Sequence, residues 1–175
     1  MKMLTFPELR QTYSYDCGAK AAHAVLAYYG IDARESDVIK EAGTTRAGTP
    51  IRGIAKVMRK NGLKCKAKPM TIEEVKKSID LKRPVILVLQ AWTEKKNIDW
   101  KKDWADGHYV VAIGYDRRRM YFEDPSSVLR TYLNYRELAE RWHDVDTDNK
   151  KYVNYGIIIY GKRPRYSLKK RIHMD

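Results

Sequence analysis

Apolar and polar positions follow two different patterns in the two halves of the chain. In the first half, apolar residues recur three to four positions apart, which is the period of amphipathic helices. This spacing predicts helices over 17–29, 36–42, 50–61 and 71–79, with a short strand over 63–68. Gly30, Gly43 and Gly62 follow the first three helices, and glycine is the residue that most often ends a helix.

The second half shows the runs and alternation that are typical of strands. Val85–Gln90 is a continuous apolar run after Pro84, which indicates a buried strand. Further strands are predicted over 108–115, 121–123, 128–133 and 152–160, with one helix over 135–142. Because the helices come first and the strands second, we expect an α+β fold in which N-terminal helices pack on a C-terminal antiparallel sheet.

Between two of these strands lies the long loop 91–107, which carries three of the four tryptophans. Loops of this length inside a compact domain usually have a function. We expect this loop to shape a substrate pocket or to act as a lid.

Length and composition indicate one globular domain. The chain has 175 residues, of which 43% are hydrophobic. We expect a domain over 1–161 and a basic tail over 162–175 that is largely solvated. No apolar run reaches the length of a membrane span, and the N-terminus lacks the features of a signal peptide, so a cytoplasmic location is expected.

Charge and cysteine content exclude some classes of protein. The two cysteines, Cys17 and Cys65, are too few for a disulfide framework or a zinc site. Aspartates alternate over 144–148 as in a calcium loop, but Asn149 and Tyr155 stand where such a loop needs glycine and glutamate. No metal or cofactor is therefore expected. The net charge of +13 allows an acidic partner, while nucleic acid is not expected because no binding motif is present.

The first candidate catalytic residue is Cys17, at the N-terminus of the first predicted helix. We expect Asp16 or Ser14 to cap this helix. The free backbone N–H groups and the helix dipole there favour a thiolate, which is the nucleophilic form of cysteine. Gln11 lies upstream, and its amide can donate a hydrogen bond near the sulfur. A lone cysteine is nevertheless more often a small core residue.

Two later residues change this balance. His108 begins a predicted strand, and Asp124 follows the next one. A hairpin would set them side by side, so that the carboxylate accepts the ring N–H and orients the imidazole. Each residue alone has an ordinary structural explanation, and Asp-Pro is a common turn opener. If the mouth of the helix at Cys17 packs against this edge, the three residues form a thiolate–imidazolium pair with an orienting acid.

These segments together resemble a known family. Gln11-x4-Asp16-Cys17-Gly18, followed by Tyr28-Tyr29-Gly30, resembles the N-terminal motif of the C39 peptidases. The segment 107–111 and the later Asp124-Pro125 resemble that family's histidine and aspartate segments, in the same chain order. The resemblance implies a papain-like fold.

The resemblance also implies roles for four residues and a peptide or protein substrate. Cys17 would be the nucleophile, His108 the general base and then acid, Asp124 the orienting acid, and Gln11 the oxyanion donor. The best-known members are fused to ABC exporters and cut leader peptides after a Gly-Gly pair. This sequence contains no exporter domains, so we expect a stand-alone peptidase domain.

Two alternatives remain open. An acyltransferase on the same fold would form the same acyl-enzyme and pass it to an amine instead of water. A non-catalytic module could use the basic surface to bind an acidic protein or nucleic acid. We rank the cysteine peptidase above the acyltransferase, and the acyltransferase above the binding module.

Overall fold

The computed structural model describes residues 1–174. Its helices are α1 (Cys17–Tyr28), α2 (Glu35–Ala42), α3 (Ile51–Lys60), α4 (Ile72–Asp80) and α5 (Tyr135–Arg141). Its strands are β1 (Lys2–Met3), β2 (Lys64–Pro69), β3 (Val85–Gln90), β4 (Gly107–Tyr115), β5 (Arg119–Glu123), β6 (Thr131–Asn134), β7 (His143–Val145), β8 (Lys151–Val153) and β9 (Tyr155–Tyr160). Within residues 1–174, no helix has both the length and the apolar character needed to cross a membrane.

The strands form one large antiparallel sheet and a separate hairpin. In the described residues the large sheet has seven strands, ordered β2-β9-β3-β4-β5-β6, with β1 paired to β4. The hairpin consists of β7 and β8. The α+β fold with an antiparallel sheet, expected from the order of the elements, is confirmed.

The sheet is covered on both faces, so its central strands are buried. Every residue of β3 is buried, as its continuous apolar run predicts. Ile86 and Val88 point into a core shared with α1, α2 and α3. Leu87 and Leu89 point into a second core shared with α4 and α5. The single strand therefore serves two apolar layers, because successive side chains leave a strand on opposite faces.

The helices begin with different capping arrangements. Thr71 caps α4 through a capping box with Glu74, in which each residue satisfies a backbone N–H of the other. Thr49 precedes α3 but does not cap it. Pro50 occupies the cap position, and the hydroxyl of Thr49 accepts a hydrogen bond from the backbone N–H of Ala19 at 3.2 Å.

Two predicted strands differ from the observed ones. The strand predicted over 128–133 is shorter, since Val128 and Leu129 are exposed residues outside β6. The strand predicted over 152–160 is divided at Asn154, whose φ of 51° is left-handed. The short strands β1 and β7 were not predicted, because two or three residues are too few to show a periodicity.

The basic tail begins after β9, yet its first part packs on the domain. The backbone N–H groups of Arg165 and Tyr166 both donate to the carbonyl oxygen of Tyr28, at 3.0 and 3.1 Å. These bonds fix the backbone of this stretch, while most residues of the tail are exposed, as expected.

Candidate active site

Cys17 is the first residue of α1, and the mouth of this helix lies close against β4. A Cβ on Gly18 would lie 2.7 Å from Cβ of Thr49 and 2.9 Å from Cδ2 of Tyr109, so only glycine fits. The hydroxyl of Tyr109 donates to the carbonyl oxygen of Thr49 at 2.8 Å. These contacts hold Cys17 near His108, the residue before Tyr109.

The loop before α1 is held by a buried carboxylate. Asp16 occupies the N-cap position, but its side chain makes no capping hydrogen bond, so the predicted capping role is wrong. Its carboxylate instead accepts from the backbone N–H groups of Thr12 and Tyr13, at 3.3 and 3.1 Å. Because Asp16 is fully buried, these bonds satisfy a charge that would otherwise be costly to bury.

His108 and Asp124 meet across the β4–β5 hairpin. The register pairs Val111 with Glu123, which sets the next residue, Asp124, diagonally across from His108 on the same face. Nε2 of His108 lies 2.7 Å from Oδ1 of Asp124. Both side chains are buried, as expected for an imidazole oriented by a carboxylate.

Asp124 accepts three further hydrogen bonds. The backbone N–H of Ser126 donates to Oδ1 at 2.9 Å, and Trp92 Nε1 and Thr131 Oγ1 each donate to Oδ2 at 3.1 Å. Burial alone would raise the pKa of Asp124, but the hydrogen bond to His108, the charge of His108 and the bonds from Ser126 and Thr131 lower it below its ordinary value. Trp92 and Thr131 were not predicted, because nothing in a single sequence shows which way a loop indole or a strand hydroxyl points.

Cys17 lies beside His108. Burial alone would lower the pKa of His108, but the hydrogen bond to Asp124 and the interaction with the Cys17 sulfur in its thiolate form raise it to about 9. Since Nε2 is bonded to Asp124, Nδ1 is the nitrogen left for the thiol. The arrangement can pass a proton between the sulfur and the ring while the carboxylate stabilises the imidazolium.

Gln11 is tied to the segment that follows Asp124. Its backbone N–H donates to the carbonyl oxygen of Pro125 at 2.9 Å, and its Oε1 accepts from Oγ of Ser126 at 3.0 Å. Nε2 donates one hydrogen to the carbonyl oxygen of Tyr13 at 2.8 Å, which leaves its second hydrogen available. The structure thus joins His108 and Asp124 directly and sets Cys17 beside His108, with Gln11 attached through the segment after Asp124.

An open cavity of about 290 Å³ lies beside Cys17. The loop 91–107, expected to shape a pocket, contributes Trp104 and Ala105 to its wall. The other lining residues come from the start of α1 and the loop before it, from the loop before α3, from the start of β4, and from β7 and the turn after it: Ser14, Tyr15, Cys17, Arg46, Ala47, Gly48, Thr49, Gly107, Tyr109, Asp144, Val145, Asp146 and Thr147. Two aspartates of the run 144–148, Asp144 and Asp146, therefore reach the site.

Comparison with known proteins agrees with this geometry. The structure is similar to the peptidase domain of Streptococcus ComA, described as a bi-functional ABC transporter, with a TM-score of 0.68 and 19% identity, over 88% of this chain and 97% of that one. It is also similar to a double glycine motif protease from an AMS/PCAT transporter in complex with its leader peptide, with a TM-score of 0.65 and 21% identity, over 94% and 95% of the two chains. At these identities the likeness shows the fold, which is papain-like.

The sequence comparisons identify a relative and a family. An uncharacterised protein of Methanothermobacter thermautotrophicus is 25% identical over 116 residues, which cover 66% of this chain and 69% of that protein. The model of the Peptidase C39 family matches residues 5–146. Since this match spans most of the sequence, the chain belongs to the Peptidase C39 family.

Proposed function

We propose that this protein is a cysteine peptidase that hydrolyses peptide bonds in peptide or protein substrates through Cys17, His108 and Asp124. The observation that carries the proposal is the position of His108, buried between the thiol and a carboxylate that accepts its ring N–H at 2.7 Å. We infer that residues 1–161 form the peptidase domain.

The reaction follows from proton transfer between Cys17 and His108. The Cys17 thiolate attacks the carbonyl carbon of the scissile bond, and a C–S bond forms. The His108 imidazolium then gives its proton to the leaving nitrogen, the C–N bond breaks and a thioester remains. Water attacks the thioester with His108 as general base, the C–S bond breaks, and the free acid leaves.

Asp124 and Gln11 support these steps in different ways. Asp124 keeps Nε2 protonated, so Nδ1 is directed to the sulfur, and its charge stabilises the imidazolium. Gln11 has one amide hydrogen free of the bond to Tyr13. That hydrogen and the backbone N–H of Cys17 would donate to the oxyanion of the tetrahedral intermediate.

A peptide substrate is supported by the open cavity at Cys17 and by a structural relative that was crystallised with a leader peptide. The experiment is to incubate the protein with a mixture of synthetic peptides and to identify the products by mass spectrometry. We expect cleavage that Cys17→Ala and His108→Ala abolish and that Cys65→Ala leaves unchanged. Cys65 is a matched control because its thiol contacts the carbonyl oxygen of Ala55, away from the cavity.

Two results would contradict the proposal. Cleavage that persists in the Cys17→Ala variant would exclude the thiol mechanism. Products that carry a new amide bond, formed with an added amine in preference to water, would identify the protein as an acyltransferase instead.

A further inference from the structure

The cavity beside Cys17 is lined by two carboxylates that form no ion pair with a described residue. Asp144 and Asp146 both line it, and neither forms an ion pair among residues 1–174, whereas the nearby Asp148 is paired with Arg52. The chain has 35 lysines and arginines, of which one, Arg46, lines the cavity. Because Arg46 is exposed, its charge is well screened by water.

Asp144 is held in the wall of the cavity by specific contacts with buried groups. A Cβ on Gly107 would lie 2.3 Å from Oδ1 of Asp144, so the missing side chain makes the room that the carboxylate occupies. The fully buried Gln90 donates from Nε2 to Oδ1 at 3.0 Å, and the backbone N–H of Val145 donates to the same atom at 2.8 Å. Oδ2 receives no hydrogen bond from a described residue, so one carboxylate oxygen is left for a ligand.

The electrostatic setting of Asp144 favours its neutral form until a positive partner is present. Burial, with a further contribution from Asp146, raises the pKa of Asp144 to about 7, although the bonds from Val145 and Gln90 and the charge of His108 act in the opposite direction. A buried carboxylate with a raised pKa gains most from a positive partner.

We infer that this cavity is a substrate subsite that takes a lysine or arginine side chain, with Asp144 and Asp146 as the residues that determine this specificity. This inference rests on the proposed peptidase function, because a substrate subsite requires a peptide substrate. A volume of about 290 Å³ also exceeds what a glycine needs, so the subsite suits a long side chain.

The first test compares cleavage of matched peptides. The cleavage products first identify the substrate position that is enriched in arginine. The cleaved peptides are then synthesised again with citrulline, the uncharged isostere of arginine, at that position. We expect Asp144→Asn combined with Asp146→Asn to lower kcat/KM for the arginine peptide by about tenfold and to leave the citrulline peptide unchanged. Asp148→Asn is the matched control, because Asp148 belongs to the same run but does not line the cavity. Equal cleavage of both peptides by the unaltered protein would overturn the inference.

The second test needs no peptidase activity. Cys17 is labelled with two methanethiosulfonates, one carrying a trimethylammonium group and one a sulfonate, each forming a mixed disulfide with loss of methanesulfinate. The ratio of the cationic to the anionic rate should fall by about tenfold in the double variant and stay constant at Cys65. An unchanged ratio at Cys17 would overturn the cationic subsite. A ratio that falls in a protein that cleaves no peptide would support the subsite and reject the peptidase function.

Discussion

Replacing Asp124 by asparagine should separate the charge of this residue from its role as a hydrogen-bond acceptor. The rise in the pKa of His108 from 6.5 to about 9 corresponds to about 3 kcal/mol in favour of the imidazolium, at 1.36 kcal/mol for each pKa unit. Asp124 is the first of the groups that raise it. Asparagine keeps an acceptor oxygen but removes the negative charge, so we expect the pKa of His108 to fall by about 2 units.

The assay is an NMR titration of the imidazole rings of the unaltered protein and the Asp124→Asn variant. Assignment of His108 comes from the loss of its signals in His108→Ala. His23 on α1 is the internal control: burial lowers its pKa, and its titration should be the same in both proteins.

The same shift sets the pH dependence of stability. The folded pKa of His108 lies above the unfolded value, so its contribution to stability is complete below pH 6.5 and is lost as the pH rises through about 9. The free energy of unfolding should therefore decline over this range by up to about 3 kcal/mol in the unaltered protein and by much less in Asp124→Asn. Titration of His108 near pH 9 in the variant, or near 6.5 in the unaltered protein, would refute the reasoning.

Three further predictions concern the free energy of unfolding, measured by chemical denaturation. Asp144 has a folded pKa of about 7, above its ordinary 3.8, so its ionised form costs stability at high pH. Asp144→Asn should therefore raise the free energy of unfolding by up to about 4 kcal/mol at pH 8 and change it little at pH 3.5, and a loss at pH 8 would contradict this. Lys20 is buried and paired with Glu35 at 2.9 Å, so Glu35→Ala should lower the free energy of unfolding by about 3 kcal/mol because it leaves a buried charge unpaired. Adding Lys20→Met should restore much of that loss, and no recovery would mean that the unpaired charge is not the cause. A Cβ on Gly53 would lie 1.8 Å from the carbonyl oxygen of Ala42, so Gly53→Ala should push α2 and α3 apart and lower the free energy of unfolding by about 3 kcal/mol. An unchanged free energy of unfolding would show that these helices can shift without loss.

The local pattern of residues was enough to predict the elements and one half of the site. Helical spacing predicted α1 to within a residue of its observed ends, and the continuous apolar run predicted β3. Adjacent strands in a hairpin are neighbours in space, so the contact between His108 and Asp124 also followed from their positions in the chain. These features are short-range, and short-range order is what periodicity and turn residues encode.

The other half of the site depends on packing between elements that are far apart in sequence. Cys17 reaches His108 because Gly18 lets α1 approach Thr49 and Tyr109, a close approach that no periodicity reports. The hydrogen bond from Trp92 to Asp124 and the entry of Asp144 into the cavity have the same origin. The sequence by itself determined which helices and strands form and which residue types can do chemistry, because both follow from nearby residues. Only the tertiary structure decided which charges share a cavity with the thiol, because that depends on how the finished elements fit together.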